Sequence, residues 1–101
     1  MNYNIFLLTF DRDFTKYNYV EIHARITKIN SLIDFWHYIR SCYILITTSS
    51  ISELSEEIQG IMPEHRFLIV PIDLYSYNGY LPKDAWTWLR KYKTKSNSLD
   101  Y

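Results

Sequence analysis

The residues Asn4-Ile5-Phe6-Leu7-Leu8-Thr9-Phe10 form an apolar run of strand length, rich in side chains that suit a sheet, and it stops at the charged Asp11-Arg12-Asp13. This predicts a first strand, in the middle of a sheet. From Tyr19 the period changes. Tyr19, Ile22, Ile26, Ile29 and Ile33 alternate steps of three and four, which lays one continuous apolar stripe along a helix. Asn18 with Glu21 three positions on supplies a capping pair at its start.

Phe35 to Ile39 and Tyr43 to Thr48 are both β-prone, and the short Arg40-Ser41 break predicts a hairpin between them. Ser50 followed by Glu53 matches a capping box, and Ile51, Leu54, Ile58 and Ile61 repeat the helical spacing. Gly60 and Pro63 are expected to end this second helix. Phe67-Leu68-Ile69-Val70-Pro71-Ile72 reads as a last strand, with Pro71 better tolerated at an edge than in a central ladder. After a polar and aromatic loop from Asp73 to Leu81, Pro82 at a first helical position opens a short final helix. Asp84 lies in its first turn, and Ala85, Trp88, Leu89 and Tyr92 share one side.

Strand, helix, hairpin, helix, strand is the order of an α+β, ferredoxin-like β-α-β-β-α-β sandwich, with both main helices on one face of an antiparallel four-stranded sheet. A single domain is expected over residues 1–93, closed by the short C-terminal helix, with a flexible tail at 94–101. The other sheet face then needs a cover, either the third helix or a second subunit.

Composition narrows the function classes. The chain has 101 residues, of which 48% are apolar and 18% aromatic, enough for one core but at a size where self-association helps stability. Cys42 is the single cysteine, so no intramolecular disulfide or thiolate metal cluster can form. With no signal-like start and no apolar run near the ~20 residues of a membrane span, a soluble, cytoplasmic protein is expected. Lys and Arg number 11 and Asp and Glu 11, against the basic excess that holding nucleic acid by bulk charge requires. The balance is uneven, since residues 82–101 carry Lys83, Arg90, Lys91, Lys93 and Lys95 against only Asp84 and Asp100.

Candidate chemistry is sparse. Two glycines, Gly60 and Gly79, exclude a phosphate loop of the P-loop or Rossmann kind. Ser49, Ser50 and Ser52 lack a nucleophile elbow and are explained by capping. Asp11 and Asp13 make either a two-carboxylate metal site or a solvated strand-to-helix loop. His37, alternating with Phe35 and Ile39 along its strand, is either a general base or a sheet-face histidine bonded to a neighbour. His23 and His65 have no partner histidine at metal-binding spacing and are expected to be exposed. Tyr75, Tyr77 and Tyr80, with Trp86 and Trp88 beyond and Lys91 and Lys93 nearby, suit three roles: packing of the third helix, a protein interface, or stacking on nucleic acid bases.

Three stretches carry a resemblance that spans nearly the whole chain: Thr9-Phe10-Asp11, Phe35-Trp36-His37-Tyr38, and Gly79-Tyr80-Leu81-Pro82-Lys83-Asp84-Ala85-Trp86-Thr87-Trp88-Leu89. With the order of elements, they resemble the small CRISPR-associated endoribonuclease-like family and its SinR-like and VapD-like relatives. The resemblance implies a homodimer of a defence, toxin or mobile-element system, acting on RNA or DNA or binding a defence-system protein. It also implies a role for Asp11, paired with its symmetry mate in a dimer, in holding Mg²⁺, a cation commonly bound by one or two carboxylates with waters. The alternative is a non-catalytic interaction or ligand-binding module of the same fold, with Asp11 a turn residue.

Overall fold

The computed structural model describes residues 3–11 and 18–93, with the side chain of Lys93 outside the description. The elements run β1 (Asn4–Phe10), α1 (Tyr19–Thr27), β2 (Leu32–Ile39), β3 (Cys42–Thr47), α2 (Ile51–Ile61), β4 (Phe67–Pro71) and α3 (Lys83–Lys93). They fall into two compact units, Met1–Pro71 and Ile72–Tyr101.

In the first unit the strands form a four-stranded sheet in the order β2-β3-β1-β4, and every pairing is antiparallel. The apolar run of β1 thus lies inside the sheet, as its composition predicts. It pairs with β3 from Asn4↔Thr47 to Thr9↔Cys42 and with β4 from Phe6↔Pro71 to Phe10↔Phe67. Pro71 sits on an edge strand, where its missing N–H costs no ladder bond. The alternation of side chains separates two faces. Phe6, Leu8, Phe10, Tyr43 and Leu45 point to one and build the core with Ile22 and Ile26 of α1 and Leu54, Ile58 and Ile61 of α2. Ile5, Ile44, Ile46 and Trp36 point to the other.

Both capping signals hold. The Asn18 side chain accepts from the N–H groups of Val20 and Glu21, and Ser50 with Glu53 forms the reciprocal box at α2. Glu53's carboxyl is held below its ordinary range, first by the Ser50 backbone N–H and then by the Ser50 hydroxyl.

Two boundaries differ from the expected ones. The helical spacing of α1 runs on through Ile29 and Ile33, yet the helix stops at Thr27. Ile29 stays buried in the core from a turn, while Ile33 belongs to β2 and is exposed. Sheet pairing overrides the period here, because the segment after Asn30 is claimed by β3. Thr48 N–H donates to Ser31 O at 3.0 Å, and Leu32 then pairs with Thr47. A buried knot of hydroxyls fixes this corner, with Thr47 Oγ1 donating to Ser31 Oγ at 2.8 Å and lying 2.9 Å from Ser49 Oγ. Gly60, expected to end α2, lies inside it, and Met62 is the C-cap. The turn that follows places Glu64 at φ 64°, a left-handed conformation that non-glycine residues seldom adopt.

In the second unit, Pro82 immediately precedes α3 rather than occupying its first turn, and its carbonyl accepts from Ala85 N–H at 3.1 Å. The expected tail, 94–101, lies outside the described residues. No helix among the described residues is long and apolar enough to cross a membrane.

Candidate functional site

Asp11 follows the last residue of β1, and antiparallel pairing with β4 brings the start of β4 beside it. The register Phe10↔Phe67 puts Arg66 opposite, and four interactions converge on the aspartate. Its N–H donates to Arg66 O at 3.3 Å. Its carbonyl accepts from the Tyr19 hydroxyl at 3.3 Å and from His65 Nε2. Its carboxylate forms an ion pair with the Arg66 guanidinium at 2.9 Å. Both charged side chains are open to water, Arg66 at 91% exposure and Asp11 at 59%, so the pair itself contributes about 1 kcal/mol or less.

An open groove of about 400 Å³ runs past these groups, lined by Thr9, Phe10, Asp11, Arg66, Phe67 and Leu68. The His65 ring meets Phe10, which lines the groove, and Tyr19 edge-on at centroid distances of 6.2 and 6.4 Å. The exposure expected of His65 is therefore not what the fold gives, since its ring is half-buried against its neighbours.

Mg²⁺ takes oxygen ligands in near-octahedral geometry. Here one carboxylate is available, and it is engaged by a guanidinium. Among the described residues no three His, Cys, Asp or Glu side chains converge on one point. Asp13, the second expected ligand, lies outside the described residues.

No protein-family model, curated protein or solved structure matches this chain.

His37 lies elsewhere on the same sheet end. Its ring stacks on Tyr43 at 4.0 Å with 8° between planes, and Nδ1–H donates to Cys42 O at 3.2 Å. Helix α1 brings a second imidazole that the sequence spacing did not reveal. His23 stands 5.2 Å from His37 between ring centroids, with Nδ1 2.7 Å from the Tyr43 hydroxyl. His23 is half-buried, not exposed as expected. Phe10 and Tyr43 stand between this imidazole pair and His65, so His37 and Asp11 belong to separate clusters joined by an aromatic row. Nearby, burial raises the thiol pKa of Cys42, which packs as a small apolar group.

The aromatic residues of the second unit divide by exposure. Tyr77 stacks on Trp86 at 6.0 Å with 23° between planes, while Tyr75 and Tyr80 face solvent. Lys91 lies 5.5 Å above the Tyr92 ring. The Lys93 side chain lies outside the described residues.

Arg66 was not singled out from the sequence, and His65 and His23 were expected to be exposed and so carried no role. Arg66 could have been found from the strand order: once β4 is placed antiparallel to β1, the residue before β4 must face the residue after β1.

Proposed function

We propose that this chain is a homodimeric, ferredoxin-like interaction or ligand-binding module of a defence, toxin or mobile-element system, working in the cytoplasm, with Asp11 a fastener and not a metal ligand. The observation that carries this reading is the set of partners around Asp11. Backbone N–H and carboxylate tie the end of β1 to Arg66 just before β4, and the carbonyl ties it to Tyr19 of α1. The strand order β2-β3-β1-β4 with helices in the two crossovers supports the ferredoxin-like assignment. Self-association is supported by the edges, since β4 exposes Leu68 and Val70, and β2 exposes Ile33, Tyr38 and Ile39. Unprotected edge strands with apolar side chains are natural templates for a second chain.

A second reading, a Mg²⁺-dependent nuclease acting on RNA or DNA, is favoured by one observation. The groove brings a carboxylate and a guanidinium together, Asp11 and Arg66, and the His65 imidazole contacts the Asp11 carbonyl; these are groups that handle phosphodiesters.

Incubating labelled single- and double-stranded RNA and DNA with Mg²⁺ or Mn²⁺ separates the two. The module predicts no cleavage by wild type or by Asp11→Ala, with both proteins of the same dimeric mass. Metal-dependent cleavage by wild type that disappears in Asp11→Ala would establish the nuclease instead.

A further inference from the structure

The second unit carries a surface that neither reading of Asp11 uses. Trp86 is its anchor. The indole N–H donates to Leu81 O at 3.1 Å, and the ring edge lies 3.9 Å from where a Cβ of Gly79 would stand. The two residues flanking Tyr80 are thus both held against Trp86, while the Tyr80 side chain is wholly exposed. Tyr77 stacks on the same tryptophan. The result is an ordered loop that presents one free phenol ring beside a fixed aromatic pair, instead of folding that ring away.

Cations run alongside. Helical spacing places Lys83, Trp86, Thr87 and Arg90 on one face of α3, and Lys83, Thr87 and Arg90 are exposed. Arg90 bonds Thr87 Oγ1 at 3.3 Å, which in turn donates to Lys83 O at 3.3 Å, so the arginine lies along the helix towards the lysine. Their Cα atoms are about 10 Å apart along the axis, at 1.5 Å per residue. Residues 72–93 hold four cations, Lys83, Arg90, Lys91 and Lys93, against Asp73 and Asp84, although the whole chain is neutral.

We propose that Tyr80, beside the Tyr77–Trp86 stack and with Lys83 and Arg90 along α3, forms a binding site for single-stranded nucleic acid. Bases stack on Tyr80, and two backbone phosphates lie over the cations. This adds to the interaction-module reading the class of ligand it takes, and it rests on residues that neither reading of Asp11 uses. Stacking on an aromatic ring is sequence-tolerant, and the cations of α3 supply locally the positive charge that tracks the backbone, although the whole chain is neutral. Duplex DNA, with its bases already stacked on one another, gives Tyr80 nothing to hold.

Fluorescence anisotropy of labelled oligo(U) and oligo(dT) of about 15 nucleotides, within the range a small single-strand site accepts, tests this on the whole chain. Both strands are expected to bind, and a duplex of the same length at least tenfold more weakly. Tyr80→Ala, which removes a wholly exposed ring and leaves the fold intact, should weaken binding about tenfold. Replacing Lys83 and Arg90 by Gln should flatten the slope of log K against log salt by about 1.4, as two lost phosphate contacts require. The proposal is overturned if neither oligonucleotide binds at low salt, if duplex binds as tightly, or if Tyr80→Ala leaves both affinities unchanged. A change in sedimenting mass in Tyr80→Ala, with oligonucleotide affinity unaltered, would also overturn it and assign the ring to a protein interface. Cleavage at Asp11 is not read by this titration, so the two readings fail independently.

Discussion

Single residues in this protein differ sharply in what they contribute, and burial decides which matter. The Asp11–Arg66 pair is solvated, so the Coulomb attraction is screened and contributes little. Thr47 is fully buried, and its hydroxyl has partners in Ser31, in Ser49 Oγ and in Ser49 N–H at 3.1 Å. Thr47→Val keeps the shape but removes the acceptor of the buried Ser49 N–H and two hydroxyl contacts, leaving Ser31 Oγ donating to Ser49 Oγ at 3.2 Å, at a cost of about 1–3 kcal/mol. Urea denaturation should show that loss, while Asp11→Asn should move stability by less than about 1 kcal/mol. The importance of Thr47 was invisible in the sequence, where it closes an apolar strand next to serines that read as helix caps. Its role appears only when the turn after α1 brings Ser31 alongside.

At the scale of elements, local signals were the legible part. Strand β1 spans the predicted residues, and both caps sit where a polar side chain precedes an apolar stripe. The failures came where two elements compete for one segment. Ile29 and Ile33 continue the helical period, but β-prone neighbours and the waiting edge of β3 draw residues 32 onward into the sheet. Gly60 reads as a terminator because glycine favours helix ends, yet α2 passes through it. A Cβ built there meets nothing within 4 Å, and the position is exposed. Gly60→Ala should therefore stabilise the protein by about 0.5–1 kcal/mol, mainly by restricting the unfolded chain and improving helix propensity. A rise in the urea midpoint at unchanged slope would show this, and a fall would mean that the glycine's freedom is used.

For the whole molecule, the candidate site was half legible. Asp11 stood out at the end of the first strand, but nothing local announced that Arg66 and His65, more than fifty residues later, would meet it. That depends on the order β2-β3-β1-β4, in which β4 returns to lie against β1. The same topology explains why Asp11 is engaged on three sides, and it separates His37 from the aspartate by an aromatic row. It also leaves two edges carrying exposed apolar side chains, which suit association with a second chain. The account therefore turns on whether Asp11 fastens the fold or holds a metal. Titrating wild type and Asp11→Asn with Mn²⁺, and counting free ion by electron paramagnetic resonance, decides this most directly. The account predicts superimposable binding curves with no tight site in either protein. A tight, stoichiometric site in wild type that vanishes in Asp11→Asn would contradict it and restore the metal-dependent nuclease.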